Sequence, residues 1–284
     1  MDIGIGLPNT IPGAPGPILL EWARRAERRG FSSLATIDRI AYPSYESLIT
    51  LAAAAAATER IGLMTNVLLG PTRNPVLLAK EAASVDQLSG GRFTLGVGVG
   101  TRADDYDAAE QDFGSRGRRW DDALELMHRA WAGEAVHGAD KPVGPQPVHG
   151  HAVPLLIGGM SDKAVERTVR WGIGWTVGGA PPEQGGPFAD RIRRAWKEAG
   201  RQGEPKIVGL TYFVLADGGE ERALQTLTDY YGDYGPRIAQ FMPKDPRSLK
   251  ETVRKFEEFG FAELFIDPTI ADLEEVDRAA DAVL

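Results

Sequence analysis

Residues 61–100 read IGLMTNVLLGPTRNPVLLAKEAASVDQLSGGRFTLGVGVG. An apolar run over Ile61–Val67 gives way to a turn-rich segment. Pro75 then opens a helical period that reaches Leu88 and closes on Gly90-Gly91. A second apolar, β-prone run covers Arg92–Val97. Strand, helix, strand in this order makes a parallel pair, because the crossover helix returns the chain to the same end of the sheet. The unit repeats in both directions. Upstream lie a strand at Ile3–Leu7, a helix from Pro17 to Arg29 closed by Gly30, a strand at Ser33–Ile37 and a helix at Ser47–Thr58. Downstream, a longer loop leads to a helix from about Arg118 to Ala132. Further strands are expected at Leu155–Ile157, Gly174–Val177, Ile207–Leu215 and Glu263–Ile266. Helices are expected at Ser161–Trp171, Phe188–Gly200, Glu220–Tyr231, Ser248–Phe259 and Leu273–Val283. Eight strands alternating with helices predict an α/β fold, a single-domain (β/α)8 TIM barrel over residues 1–284. It carries a loop insertion at about 133–154 and a helical extension at about 220–259.

The 284 residues hold 40 acidic and 32 basic side chains, a net charge of −8. That balance argues against nucleic-acid or anionic-membrane partners, which need a basic patch. There is no cysteine. Disulfides, thiolate catalysis and cysteine-ligated metal centres are excluded with it. The start MDIGIGLPNT has neither the basic nor the apolar region of a signal peptide. The uncharged run Leu48–Thr58 is too short for a bilayer. A cytoplasmic location is expected.

Strand alternation sorts the glycines. In the first strand Ile3, Ile5 and Leu7 share one face and Gly4 and Gly6 the other. In the fourth, Leu95, Val97 and Val99 oppose Gly96, Gly98 and Gly100. With the large residues facing the helices, the glycines face the barrel interior. Either they open a cavity toward the C-terminal mouth, or large residues from other strands fill the space. The GxGxG spacing is not a dinucleotide fingerprint, since no helix opens directly after it. Gly158-Gly159-Met160-Ser161 stands between a strand and a helix, with Ser161 as N-cap. Free N–H groups there suit a phosphate, and Gly178-Gly179 on the next strand could add more; the bland alternative is a capped turn. Asn66 offers an amide to a ring carbonyl or nitrogen, or is a solvated turn residue.

Other side chains divide similarly. Arg116 either reaches over the mouth or forms a surface ion pair. His137, His149 and His151 fall in the Pro/Gly-rich loop and read as solvated; His128 sits inside an amphipathic helix and reads as structural. Tyr106, Tyr212 and Phe213 are core or site aromatics. Tyr230, Tyr231 and Tyr234, with Phe241 and Met242, form either a lid or a dimer contact. Lys206 begins its strand, the wrong end for an aldolase-type Schiff base.

Several of these segments resemble the bacterial luciferase-like superfamily of flavin- and deazaflavin (F420)-dependent oxidoreductases. They are Ala26-Glu27-Arg28-Arg29-Gly30-Phe31, Thr58–Leu63, Arg73-Asn74-Pro75 with Ala79-Lys80, Asp86–Arg92, Leu95–Gly100, and Ile157–Ser161 with Gly172–Trp175. The resemblance covers nearly the whole chain and implies the same barrel. It implies a flavin-type ring, FMN or F420, in the barrel mouth. Asn66-Val67 would form a bulge with a cis peptide behind the ring, and Gly98 and Gly100 would flank it. Gly158, Gly159, Met160 and Ser161, with Gly178 and Gly179, would hold phosphate. Many members carry an acid–histidine pair at the end of the second strand; here it reads Asp38-Arg39. Arginine cannot act as a base near neutral pH. Arg39 either contacts an anionic substrate or cofactor, or forms a salt bridge with Asp38 or Glu46. Asp38, Arg39 and Arg116 are the catalytic candidates. The implied reaction on a small organic substrate is monooxygenation with FMN or hydride transfer with F420. A homodimer and a flavin reductase supplying reduced cofactor are the protein partners open to it. The competing function is a flavin-binding protein that kept the fold and lost the chemistry.

Overall fold

Every strand pairing is parallel, and the sheet closes on itself. The structure, a computed structural model, describes residues 1–284. In chain order the elements are β1 (Asp2–Gly6), α1 (Gly16–Arg29), β2 (Ser33–Thr36), α2 (Ser47–Ala57), β3 (Gly62–Thr65), β4 (Leu68–Leu69) and α3 (Pro75–Ser89). Then come β5 (Phe93–Gly98), α4 (Ala103–Ala108), α5 (Arg116–Trp131), β6 (Leu155–Gly158), α6 (Asp162–Trp171), β7 (Gly174–Thr176) and α7 (Pro182–Glu198). The chain ends with β8 (Lys206–Phe213), α8 (Glu220–Tyr231), α9 (Gly235–Phe241), α10 (Pro246–Glu258), β9 (Glu263–Pro268) and α11 (Glu274–Val283). The order β3-β2-β1-β9-β8-β7-β6-β5-β4, with β3 also pairing β5, is a closed (β/α)8 barrel. β3 and β4 are two halves of one stave, both bonded to β5.

Two apolar layers hold it. The outer one lies between strands and helices and uses the large faces of the strands, among them Ile5, Leu34, Leu63, Leu95 and Ile207. The inner one is a plug of Ala35, Met64, Leu156, Val208 and Phe265. Gly4 faces this plug: a Cβ there would lie 2.5 Å from the Phe265 ring. The empty inner face of β1 is therefore room for Phe265. Gly96 is likewise occupied, by the Thr65 carbonyl 2.0 Å from its Cβ position. At these two levels the glycines fit the packed alternative.

The end of the barrel opposite the mouth explains much of the sequence pattern. Glu27 accepts from the backbone N–H groups of Glu59, Arg60 and Ile61 and so closes the α2–β3 turn. Those bonds hold its carboxyl below the usual range despite partial burial. Arg92 donates to the carbonyls of Ala55, Thr58, Ile61 and Ser89. Asp86 accepts from Val148 N and anchors the 133–154 segment, which has no helix or strand. Lys206 pairs there with Glu263 at 2.7 Å.

The structure departs from the expected elements in three places. α7 starts at Pro182 rather than Phe188 and runs through Pro187. Pro182 suits a first turn, and Gly185 and Gly186 let the helix lie close on Val177, Phe259 and Phe261; packing overrides the breakers. α4 is a short helix where loop was expected, and α9 is a further short helix inside the expected 220–259 extension. The third strand is broken after Thr65, at Asn66-Val67. No helix is long and apolar enough to cross a membrane.

Candidate active site at the barrel mouth

In a parallel barrel the side chains at the C-terminal strand ends converge on one mouth. Asn66, just past β3, reaches across it: its Oδ1 accepts from Thr176 Oγ1 on β7 at 2.8 Å. Asn66 is buried, yet its Nδ2 has no partner. The Asn66–Val67 peptide is cis. Val67 is half-buried and forms a floor against which two strands fit only as glycine. A Cβ on Gly98 would come within 2.9 Å of a Val67 methyl, and one on Gly158 within 3.2 Å. Gly100, at φ +64°, would meet Leu69 in the same way. Ile37, Gly100, Gly158 and Gly178 are half-buried around this floor. A groove of about 640 Å³ lies outside the barrel, between α2 and α3 past Ile49, Leu77 and Leu88.

Beside the floor is the glycine turn. Ser161 caps α6, its Oγ accepting from Ala164 N at 3.2 Å. Gly159 takes φ +109°, and its carbonyl is fixed by Trp175 Nε1 at 2.7 Å. Gly159, Met160 and Ser161 are exposed, with the first N–H groups of the helix free of intrahelical acceptors. Asp162 in that first turn is paired with Arg191 at 2.6 Å, which offsets its charge. Gly178 turns at φ +66° with its N–H on Thr176 Oγ1; Gly179 is exposed beside it.

Asp38 and Arg39 are both buried, and they do not pair with each other. Asp38 accepts from Leu69 N at 2.9 Å and from Arg73 at 2.7 Å, with Glu46 on the other side of Arg73. These two carboxylates hold the Arg73 guanidinium above its ordinary range, against burial. Arg39 turns outward from the floor to Asp104 and Asp105 at 2.8 Å each. It also packs over Tyr42 and Tyr230, 5.6 Å from either ring centre. Arg116 forms no ion pair. It donates to Gly100 O and Phe113 O and stacks on Phe113 at 3.7 Å. Arg102, also without a carboxylate, donates to Tyr230 O and lies over Tyr230 and Tyr231.

The extension after β8 covers part of the mouth. Leu210, Tyr212 and Val214 pack with Ala223 and Leu227 of α8 and Ala239 of α9. Tyr212 and Tyr231 share a hydrogen bond of 2.6 Å. Burial pushes the phenols of Tyr212, Tyr230 and Tyr231 up, so all three stay neutral. Tyr106 donates to Val99 O, and its phenol is raised by burial to about 12. Asp267, at the end of β9, faces inward beside Tyr212 and under Gly6. His128 packs between Trp131 and Trp171, away from the mouth.

The profile of the luciferase-like monooxygenase family matches residues 1–281. The chain belongs to that family. An uncharacterized protein of Mycobacterium tuberculosis is 30% identical over 269 residues, 84% of this chain and 91% of the relative. An FMNH2-dependent dimethylsulfone monooxygenase of Pseudomonas putida is 27% identical over 229 residues, 75% of this chain and 62% of that enzyme. The fold is shared with an F420-dependent secondary alcohol dehydrogenase solved with an F420–acetone adduct, at TM-score 0.80, 18% identity and coverage of 99% and 98%.

Within this luciferase-like barrel, the mouth gathers Asn66, Val67, Gly98, Gly100, Gly158 and Gly178, and the glycine turn stands next to them. Arg39 is drawn to the acidic first turn of α4, a short helix with no periodicity to mark it in the sequence. Reading from the sequence missed Asp105, Arg102, Thr176 and Asp267. The last had a signal: alternation continued past Ile266 puts Asp267 on the inward face with Phe265.

Proposed function

We propose that this protein is an oxidoreductase that holds a reduced flavin-type cofactor, FMN or F420, in the barrel mouth and acts on a small organic substrate. The observation that carries the reading is the floor. A half-buried Val67 lies between Gly98 and Gly158, next to a buried Asn66 amide whose Nδ2 lacks a partner. A flat ring fits a surface where any Cβ would intrude, and a ring carbonyl would satisfy the orphaned amide, which otherwise costs about 1–3 kcal/mol. Gly159, Met160, Ser161 and Gly179 would hold a phosphate through backbone N–H groups, whereas the Gly178 N–H expected to join them is taken by Thr176 Oγ1. Arg102 and Arg116, with no carboxylate partners, suit the rest of an anionic tail. When bound, the cofactor supplies the electrons, as a hydride or to O₂. The chain's own residues orient the ring and exclude water, the tyrosines from α8 doing the latter. Asp38 and Arg39 build the rim: both are saturated by Arg73 and by Asp104 and Asp105.

A non-catalytic binding protein is not favoured. The missing histidine was its support, and the mouth has another ionisable group in Asp267. Consumption of reduced FMN and of reduced F420, with and without O₂, tests the assignment. Turnover that needs O₂ with FMN means monooxygenation, a role in which a flavin reductase would supply the cofactor; turnover without O₂ with F420 means hydride transfer. No turnover of either across a panel of small ketones, sulfones and phenols counts against it.

A further inference from the structure

Two buried acids of this chain have no ion pair, Asp86 and Asp267, and only Asp86 keeps a hydrogen bond, its Oδ2 accepting from Val148 N. Glu263 has Lys206, Asp38 has Arg73, Asp105 has Arg39 and Glu275 has Arg278. Asp267 is 3% exposed, forms no ion pair, and its Oδ1 has no hydrogen-bond partner. It lies on the inward face at the C-terminal end of β9, in register with Tyr212 of β8. Gly6 of β1 faces it, and a Cβ on Gly6 would lie 2.3 Å from Oδ1, so β1 is cut back to admit this side chain. The other ionisable groups that face it are the phenols of Tyr212 and of Tyr231 from α8, both neutral. An isolated carboxylate in such a place costs several kcal/mol, and the group takes up a proton instead. Burial alone raises its pKa to about 8.

A second orphan sits in the same mouth. Asn66 Nδ2 and Asp267 Oδ1 are both buried and both unpartnered, so neither reaches the other. Two groups left unsatisfied at one opening describe the outline of a guest with acceptors on its edge.

We propose that Asp267 is an uncharged carboxylic acid in the resting protein and donates a hydrogen bond to a carbonyl oxygen of the ring bound in the mouth. The inference rests on the cofactor reading above and adds a ligand contact to it. FMN and F420 share a ring edge bearing two carbonyl groups, so the contact does not depend on which is bound. Ionised Asp267 would instead repel those oxygens, making ring affinity fall with rising pH.

The test measures binding of oxidised FMN and F420 by fluorescence quenching at pH 6.5 and 9.5, on the parent, Asp267→Asn and Asp267→Leu, each checked by circular dichroism for folding. Asparagine keeps a donor and loses the titration, so it also reports the ligands' own ionisation. The parent should lose about tenfold in affinity between the two pH values relative to Asp267→Asn, and Asp267→Leu should bind about tenfold more weakly than the parent at pH 6.5. Leucine binding like the parent at pH 6.5, or equal pH dependence in parent and Asn variant, overturns the proposal. Infrared spectra without ligand give a separate readout. A protonated-carboxyl band present at pH 6.5 in the parent and missing from Asp267→Asn is expected; a parent without the band overturns the proposal whatever binds. If the band is present and neither ring binds the parent, it is the cofactor reading that has failed, and the hydrogen bond to the ring goes with it.

Discussion

Arg39 Nε lies 3.0 Å from Asp105 Oδ1 and 2.8 Å from Oδ2, and both side chains are buried. The same Oδ1 accepts from Ile40 N and Ala41 N. One carboxylate thus ties the loop after β2 to the helix after β5, across the rim of the mouth. Removing it leaves a buried guanidinium with only exposed Asp104 and a backbone carbonyl. Asp105→Ala should cost about 3–5 kcal/mol in urea denaturation, and Asp104→Ala about 1 kcal/mol or less. Equal effects would mean the pair is not what holds the rim.

The inward glycines should separate by role. Gly96→Ala puts a methyl against the Thr65 carbonyl, a backbone atom that cannot step aside. It should destabilise by about 1–3 kcal/mol or more. Gly98→Ala meets a Val67 methyl, which can give slightly. Its stability loss should be smaller, while the raised floor weakens ring binding. Paired melting and binding curves check both.

Arg116 lies against the end of the β5 stave, donating to Gly100 O. The first turn of α5 is joined to α6 by Arg167, which donates to Gly117 O at 2.8 Å. Replacing Arg102 and Arg116 together by alanine should weaken FMN by about tenfold and leave riboflavin, which has no phosphate, unchanged. Added salt should weaken FMN binding in the parent more than in the double variant.

Asp267 makes stability depend on pH in an unusual direction. Its pKa is raised on folding, from an ordinary 3.8 to about 8. Between those values the unfolded chain has released the proton and the folded chain keeps it. The folded state binds more protons, so this group's contribution to stability falls as pH rises through that window. Asp267→Asn removes the effect. Its melting temperature relative to the parent should climb from pH 5 to pH 8; a constant difference would mean the carboxyl is ionised in the folded protein.

Most of the barrel was legible because period-two and helical patterns are local. The resemblance motifs were legible too, but the structure puts several of them at the end of the barrel opposite the mouth. Glu27, Asp86 and Arg92 satisfy backbone groups at the closed end, which is a role in folding. Arg39 shows the opposite limit. Its partners Asp104 and Asp105 are 65 and 66 positions away, on a short helix that has no period to announce it. Gly4 and Gly98 look alike in sequence, yet one faces Phe265 and the other Val67. Only the closure of the sheet decides which side chain a given glycine makes room for. Pro187 inside α7 was misleading because tertiary contacts at Gly185 and Gly186 outweigh the local cost.

The ring site itself is tested by equilibrium titration of the parent protein with FMN, riboflavin and F420, repeated on Gly98→Leu and Gly158→Leu. A ring seated on Val67 requires saturable one-to-one binding with quenched fluorescence in the parent, lost in both leucine variants while they remain folded. Binding that survives both substitutions, or no binding of any of the three ligands, would place the site elsewhere or remove it.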